Sequence, residues 1–245
     1  MNYPVTYTPE QMEQVQQFIN RTFGGEEDGM IAHEITSEYV HTDTAVIAPQ
    51  GEDRVFATFG MGARAMNAPE NRQHIELVMC ASKKLDIYSQ APMTIVQELV
   101  SLSKYPFQED TWLGVGHTIQ ASHKFRDAFG FDAFTFVHSG ETVFVDGIGT
   151  VEFLMVVPIY EQERQWLMET DSVAGMDEMY QSIGPEIFLA DSRREMYLPE
   201  DRNLCSLLGL DEETLWKLRT FLQEAEERGE QVDYDKIGKW LAENG

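Results

Sequence analysis

Apolar positions along this 245-residue chain follow two periods, one helical and one of two. Met12, Val15, Phe18, Ile19 and Phe23 mark one helical face. Thr8-Pro9-Glu10-Gln11 precedes them: Thr8 can cap, Pro9 suits a first turn and Gln11 completes a capping box. Gly24-Gly25 predicts the stop. Residues 30–49 alternate instead, as two strands joined by a short turn near Ser37-Glu38. In the second, from 40 to 48, Val40, Thr42, Thr44 and Val46 share one face and His41, Asp43, Ala45 and Ile47 the other.

Residues 55–80 read as two strands around a long connection. In the first, Val55, Ala57 and Phe59 lie on one face and Phe56 and Thr58 on the other, so both faces are largely apolar and the strand is interior. In the second, Ile75, Leu77 and Met79 make a dry face, and Glu76, Val78 and Cys80 make one that begins wet. Gly60, Gly62, Asn67-Ala68-Pro69 and Glu70-Asn71 carry turn chemistry, over a span too long for a tight hairpin. A loop on a rigid sheet is where recognition usually sits.

A helix over 92–104 has the stripe Ile95, Val96, Leu99 and Leu102, and the aromatic-rich Tyr105-Pro106-Phe107 follows it. Residues 125–136 read as an aromatic-rich loop leading into a strand that ends at His138; Ser139-Gly140-Glu141 then turns into a strand over 142–145. The strongest strand is 151–157, central because both its faces are apolar from Phe153 on, and ended by Pro158. Helices are predicted over 161–168 and 173–183, with Gly184-Pro185 breaking the second. Past Leu198 the chain turns helical: Leu215, Leu218, Phe221 and Leu222 form a stripe that Gly229 ends, and Asp233 or Asp235 caps a last helix with Ile237, Trp240 and Leu241. The fold class is therefore α+β: a mixed, mostly antiparallel sheet flanked by helices, with a C-terminal helical extension. The division is 1–198 for the α+β domain and 199–245 for the extension. Trp216, Phe221 and Trp240 would be poor solvent residues, so the extension is expected to pack on the domain; a tethered, partner-binding helix pair is the alternative.

Charge changes the picture most. Forty-two acidic against 18 basic residues give a formal −24, the opposite of a nucleic-acid footprint and unfavourable at anionic lipid. Such a surface steers a basic protein into contact. Two cysteines, Cys80 and Cys205, are too few for a disulfide scaffold and are read as reduced. No apolar run approaches the ~20 residues that cross a bilayer, and the start lacks a signal-peptide pattern, so a cytoplasmic location is expected.

Candidate chemistry is thin. His33, Glu34, His41 and Asp43 could be taken for a metal constellation, but their spacing matches no standard motif. The Gly-Val-Gly-His turn at 114–117 lacks the longer loop and following helix of a phosphate site. His117 has no visible acid or nucleophile partner, whereas His74 and Glu76 share a strand face as a candidate acid–base pair. Arg64 beside Gly62, and Arg193 and Arg194, could hold an anion, with Asp191 and Glu195 as ready partners for the last two. There is no Gly-x-Ser-x-Gly, paired-cysteine or Walker motif. The reading is a non-catalytic protein without cofactor or metal; the alternative is a histidine- and carboxylate-dependent hydrolase, or a metal-binding enzyme.

Several segments together resemble the suppressor-of-fused domain family. They are HEI-x-S and HTDTAVIAP, FATFGMGARAMNAP followed by HIELVM, the helix leading into Tyr105 and then Thr111-Trp112 and Gly116-His117, and Asp191-Ser192-Arg193-Arg194. They stand in the family's order and span roughly residues 26–196. The resemblance implies a binding module. Animal members clamp a peptide of a transcription factor as an added strand; bacterial members resemble immunity proteins that block toxins. It points to the bacterial branch and to a protein partner such as a basic toxin. Tyr105 matches a tyrosine of the animal peptide site, but Gly116 replaces the acidic residue before the histidine. The candidate partner-binding set is Tyr105, His117, Arg64, Asp191 and Arg193.

Overall fold

The computed structural model describes residues 4–24, 30–34, 38–69, 72–191, 193–199, 209–228, 232 and 234–244. Gly25, Ser37, Glu70, Asn71, Ser192, Cys205, Gly229 and Asp233, to which the sequence gives stop, turn, helix or cap roles, lie outside the described residues. The chain divides into two compact units, Met1–Met196 and Tyr197–Gly245.

The first unit is built on one sheet. Its strands are β1 (Met30–Ala32), β2 (Asp43–Ile47), β3 (Arg54–Phe59), β4 (Ile75–Ala81), β5 (Thr118–Gln120), β6 (Ala133–Val145) and β7 (Gly149–Ile159). Their order is β1-β2-β3-β4-β7-β6-β5, antiparallel throughout except where β4 runs parallel to β7. The mixed, mostly antiparallel expectation holds, with β3 and β7 interior as their two apolar faces demanded.

Helices cover both faces because the strands are apolar on both. Helix α1 (Pro9–Phe23) starts at the Thr8 cap, with the Gln11 capping box formed, and ends at Gly24 in the left-handed region. Its Val15, Phe18 and Ile19 pack with Ala45, Ile47, Ala57, Phe59, Val78 and Phe153. On the opposite face, α2 (Ala91–Gln108) sets Ile95, Val96, Leu99 and Leu102 against Val46, Phe56, Leu77, Met79 and Leu154. Helix α3 (His123–Phe129) adds Phe125 to the same layer. After β7 come α4 (Glu161–Glu169), α5 (Ser172–Ile183) and a short 3-10 turn (Pro185–Phe188).

Four expectations are corrected. Helix α2 runs through Tyr105-Pro106-Phe107 rather than ending before them. The buried stripe continues at helical spacing to Pro106, and burying that ring offsets one lost hydrogen bond. Residues 123–129 are helical, capped by Ser122 and stopped by left-handed Gly130, not a loop. The predicted turn at Ser139-Gly140-Glu141 is a bulge inside one long β6, between His138 and Thr142, held where Ser139 Oγ donates to the Phe153 carbonyl. Strand β7 passes through Pro158, whose missing N–H costs nothing because β4 pairing reaches only Met155. In addition, β2 begins at Asp43: the Val40–Thr42 segment is drawn aside, with Val40 bridging Val5 and His41 N donating to the Val5 carbonyl.

The second unit contains α6 (Glu212–Glu227) and α7 (Tyr234–Asn244). Phe221 and Trp240 stack with centroids 5.6 Å apart. Trp216, expected to be hidden, is 68% exposed.

Candidate functional site

The polar residues gather where β3 leaves the sheet and β4 enters it. Thr58 faces Leu77 there, and the turn between them holds Gly60 and the 3-10 segment Met61–Ala63. Glu76, the second residue of β4, is fully buried in a carboxylate cradle. Its Oε1 accepts the Tyr7 hydroxyl at 2.9 Å, Gly60 N–H at 2.8 Å and Gly62 N–H at 3.0 Å. Its Oε2 accepts the Thr58 hydroxyl at 2.7 Å. The expectation that this face begins wet is thus overturned. A carboxylate surrounded by its own donors needs no water. Burial raises the Glu76 carboxyl above the ordinary range; the Thr58, Gly62, Gly60 and Tyr7 hydrogen bonds pull the other way. Burial, then the charge and hydrogen bond of Glu76, raise the Tyr7 hydroxyl.

His74 does not pair with Glu76 as its strand face suggested. Its Nδ1 lies 2.8 Å from the Gly62 carbonyl, whose N–H serves Glu76. The two side chains brace the same turn from the two ends of one residue, Gly62.

Beside this cradle, His33, Glu34, His41 and Asp43 do converge. His33 Nδ1 is 3.0 Å from Asp43 Oδ2 and His41 Nε2 is 3.2 Å from Asp43 Oδ1. Asp43 Oδ1 also accepts Glu34 N–H at 2.9 Å. Glu34 takes Thr42 N–H on Oε2 at 2.9 Å and the Lys104 ammonium on Oε1. The carboxylate oxygens are spent on imidazole, ammonium and backbone donors. Among the described residues no group of three or more His, Cys, Asp or Glu is arranged to hold a metal. The network ties the ends of β1 and β2 to α2; Lys104 has no signal in the sequence, because nothing in spacing links it to Glu34.

Arg64 follows the turn. It donates to the Tyr39 carbonyl at 3.3 Å and lies over the Phe107 ring at 4.9 Å, a cation–π contact. Tyr105, two residues before Phe107 on α2, packs half-buried against the α2-side core. His117 stands edge-on to Trp112 with centroids 4.3 Å apart, and its backbone N–H donates to the Gly114 carbonyl. Trp112 and Gly114 line a cavity of only about 10 Å³ with Arg72, His138 and Glu152. That is room for about one water, not a substrate.

Asp191 and Arg193 sit elsewhere. Asp191 receives Ser82 N–H at 2.6 Å and the Ser82 hydroxyl at 2.7 Å, past the far end of β4. It therefore fastens the 3-10 segment to the sheet instead of pairing with an arginine. Arg193 is exposed. Arg194, offered as an anion holder, is buried instead. It grips Glu163 through two bonds, 2.5 Å and 2.7 Å, and makes cation–π contacts with the neighbouring Phe131 and Tyr160 rings. The candidate binding residues are therefore scattered: Arg64 follows the turn before β4, Tyr105 is on α2, His117 is in the turn before β5 and Asp191 is past the far end of β4. Cys80 is a free thiol pushed up to about 11 by burial and the charge of Asp53, which disfavours the thiolate form. Among the described residues no helix is long and apolar enough to cross a membrane.

Comparison with known proteins places this geometry. The model of the suppressor of fused protein family (SUFU) matches residues 38–195. A solved SUFU homolog from Neisseria gonorrhoeae FA 1090 superposes with a TM-score of 0.57 at 14% identity, covering 78% of this chain and 100% of its own. The Sufu of a Sufu–Fu complex gives 0.57 at 12% identity, over 78% of this chain and 93% of that one. Drosophila Suppressor of Fused gives 0.56 at 13% identity, over 89% of this chain and 56% of the other. At these identities the likeness is one of fold. No curated protein matches the chain by sequence.

Proposed function

Because the chain belongs to the suppressor of fused family, we propose that it is a non-catalytic protein-binding module of the bacterial branch, acting in the cytoplasm as an immunity-type protein that captures and neutralises a basic toxin. The supporting observation is that the carboxylates gathered here, Glu76, Asp43 and Glu34, are buried and occupied by donors of the chain itself. Glu76 holds four donors, Asp43 two imidazoles and Glu34 an ammonium. A general base must be within reach of a substrate proton, and these groups are turned inward. A formal charge of −24 supports a basic partner, since complementary fields raise the rate of capture. The Sufu–Fu complex supports a protein as the ligand class. Arg64, Tyr105 and His117, with Asp191 and Arg193, are the contact residues carried in this proposal.

The test is affinity capture from the native cell with the full chain, followed by mass spectrometry at low and high salt. The expected result is one stoichiometric basic protein, released as ionic strength rises and the screening length shrinks. It should restore growth when co-expressed with that protein. Recovery of no stoichiometric partner, or hydrolysis of a small molecule that is lost on changing His33, His41, His74 or His117, would overturn the proposal.

A further inference from the structure

We infer that a groove beside the far end of β4 binds a nucleoside monophosphate, a ligand independent of the protein partner proposed above. The groove, of about 550 Å³, is walled by residues 48–51 between β2 and β3 and by residues 85–88 after β4. That volume lies in the range of small-molecule sites. Arg54, the first residue of β3, also lines the groove and ties its walls together. Its Nη1 donates to the Pro49 carbonyl and its Nη2 to the Lys83 carbonyl, both at 3.2 Å.

This cation is under-used. A guanidinium carries five N–H groups, and the two carbonyls occupy only two of them. Its Nε is buried with no hydrogen-bond partner among the described residues. Nor does Arg54 form an ion pair among them, although the chain carries 42 acidic residues. Lys104, Arg164 and Arg194, by contrast, each hold a carboxylate. Lys83 and Lys84 immediately precede the second wall; both are exposed, and neither forms an ion pair among the described residues. The carboxylates nearby are turned to the backbone: Asp53 accepts the Lys83 N–H at 2.9 Å, and Asp86 Oδ1 accepts the Tyr88 N–H at 3.0 Å.

Each part of the ligand answers one of these groups. A phosphate meets the Arg54 guanidinium, with the two lysines adding charge. Tyr88 stands 85% exposed in the wall, and an open aromatic ring there is a stacking platform for a base. Asp86 keeps Oδ2 to accept from a ribose hydroxyl. A monophosphate fits better than a di- or triphosphate, because every added phosphate meets the repulsion of a chain at −24. A phosphorylated protein side chain would use Arg54 and leave Tyr88 without a role.

The test titrates the full-length chain with adenosine monophosphate, adenosine and inorganic phosphate, read by amide NMR shifts and calorimetry. The monophosphate should bind about tenfold or more tightly than either part, and should shift the amides of residues 50–54 and 83–88. Salt should weaken it. Tyr88→Ala, at an exposed position, should weaken the monophosphate about tenfold and leave inorganic phosphate unchanged, whereas Tyr88→Phe should retain binding. Arg54→Gln should weaken the monophosphate about tenfold or more and leave adenosine unchanged. Because Arg54 also fastens two loops, Lys83→Gln with Lys84→Gln repeats the charge test at exposed positions, with a several-fold loss and a shallower salt dependence expected. The shifts on the unaltered chain decide the matter even where a variant unfolds. No binding of the monophosphate, shifts confined to other residues, or a Tyr88→Ala chain that binds it undiminished would overturn the inference. Capture of a protein partner, or its failure, bears only on the reading above and leaves this site standing.

Discussion

The hydroxyl of Tyr7 meets Oε1 of Glu76 at 2.9 Å, across 69 residues of sequence. One bond therefore pins the segment before α1 to the second residue of β4, while Gly60 and Gly62 N–H secure the turn to the same oxygen. Removing the carboxylate orphans four buried donors. Glu76→Ala should cost about 3–5 kcal/mol, and Tyr7→Phe, which removes one buried hydrogen bond, about 1–3 kcal/mol. Urea unfolding with an unchanged m-value measures both. A Glu76→Ala loss below that of Tyr7→Phe would refute the cradle.

The same pair sets the pH dependence. Burial raises the Glu76 carboxyl above its ordinary 4.5, so between that value and its folded one the native chain binds more protons than the unfolded chain. Stability from this group is complete below pH 4.5 and is lost as pH rises through the folded value. Tyr7 is raised likewise, so its contribution begins to fall as pH passes 10.0. Glu76→Gln should flatten the first decline and Tyr7→Phe the second. Urea midpoints over a pH series read each slope; a slope unchanged in its variant would sink that assignment.

Gly60 is held at φ +131°, and a Cβ there would lie 2.1 Å from the His41 carbonyl oxygen. The obstacle is backbone, which cannot swing aside. Gly60→Ala should cost more than about 3 kcal/mol. Gly51, at φ +83° with nothing within 4 Å of its Cβ position, supplies the control, and Gly51→Ala should cost about 1–2 kcal/mol. Thermal unfolding of the two variants side by side checks the difference, and equal losses would contradict it.

Arg194 and Glu163 form a buried two-bond pair, with the Pro158 carbonyl as a further acceptor for Arg194. Arg194→Met alone strands the Glu163 carboxylate and should cost about 3–5 kcal/mol. Arg194→Met with Glu163→Leu removes both charges and should be less damaging than either single change. A double-mutant cycle in urea measures the coupling; simple additivity would show that the pair is not a unit.

The element types were legible in the chain because they follow from local rules. The Thr8–Gln11 capping box set the start of α1, and apolar pairs on both faces marked β3 and β7 as interior strands. The family was legible too, since it rests on the order of short segments. Helix α3 was missed although Ser122 and Gly130 bracket it, because its aromatic residues outweighed two weak signals. The partners of buried charge had no local signature at all. Glu76 reads as a wet strand position until Tyr7, Thr58 and the Gly60–Gly62 turn are brought around it. Arg194 reads as an exposed anion holder until Glu163 and two aromatic rings enclose it. Periodicity and caps depend on residues within a turn or two, so the sequence determined the strands and helices. Which donor meets which carboxylate depends on strand order and crossing, and only the tertiary structure decided that.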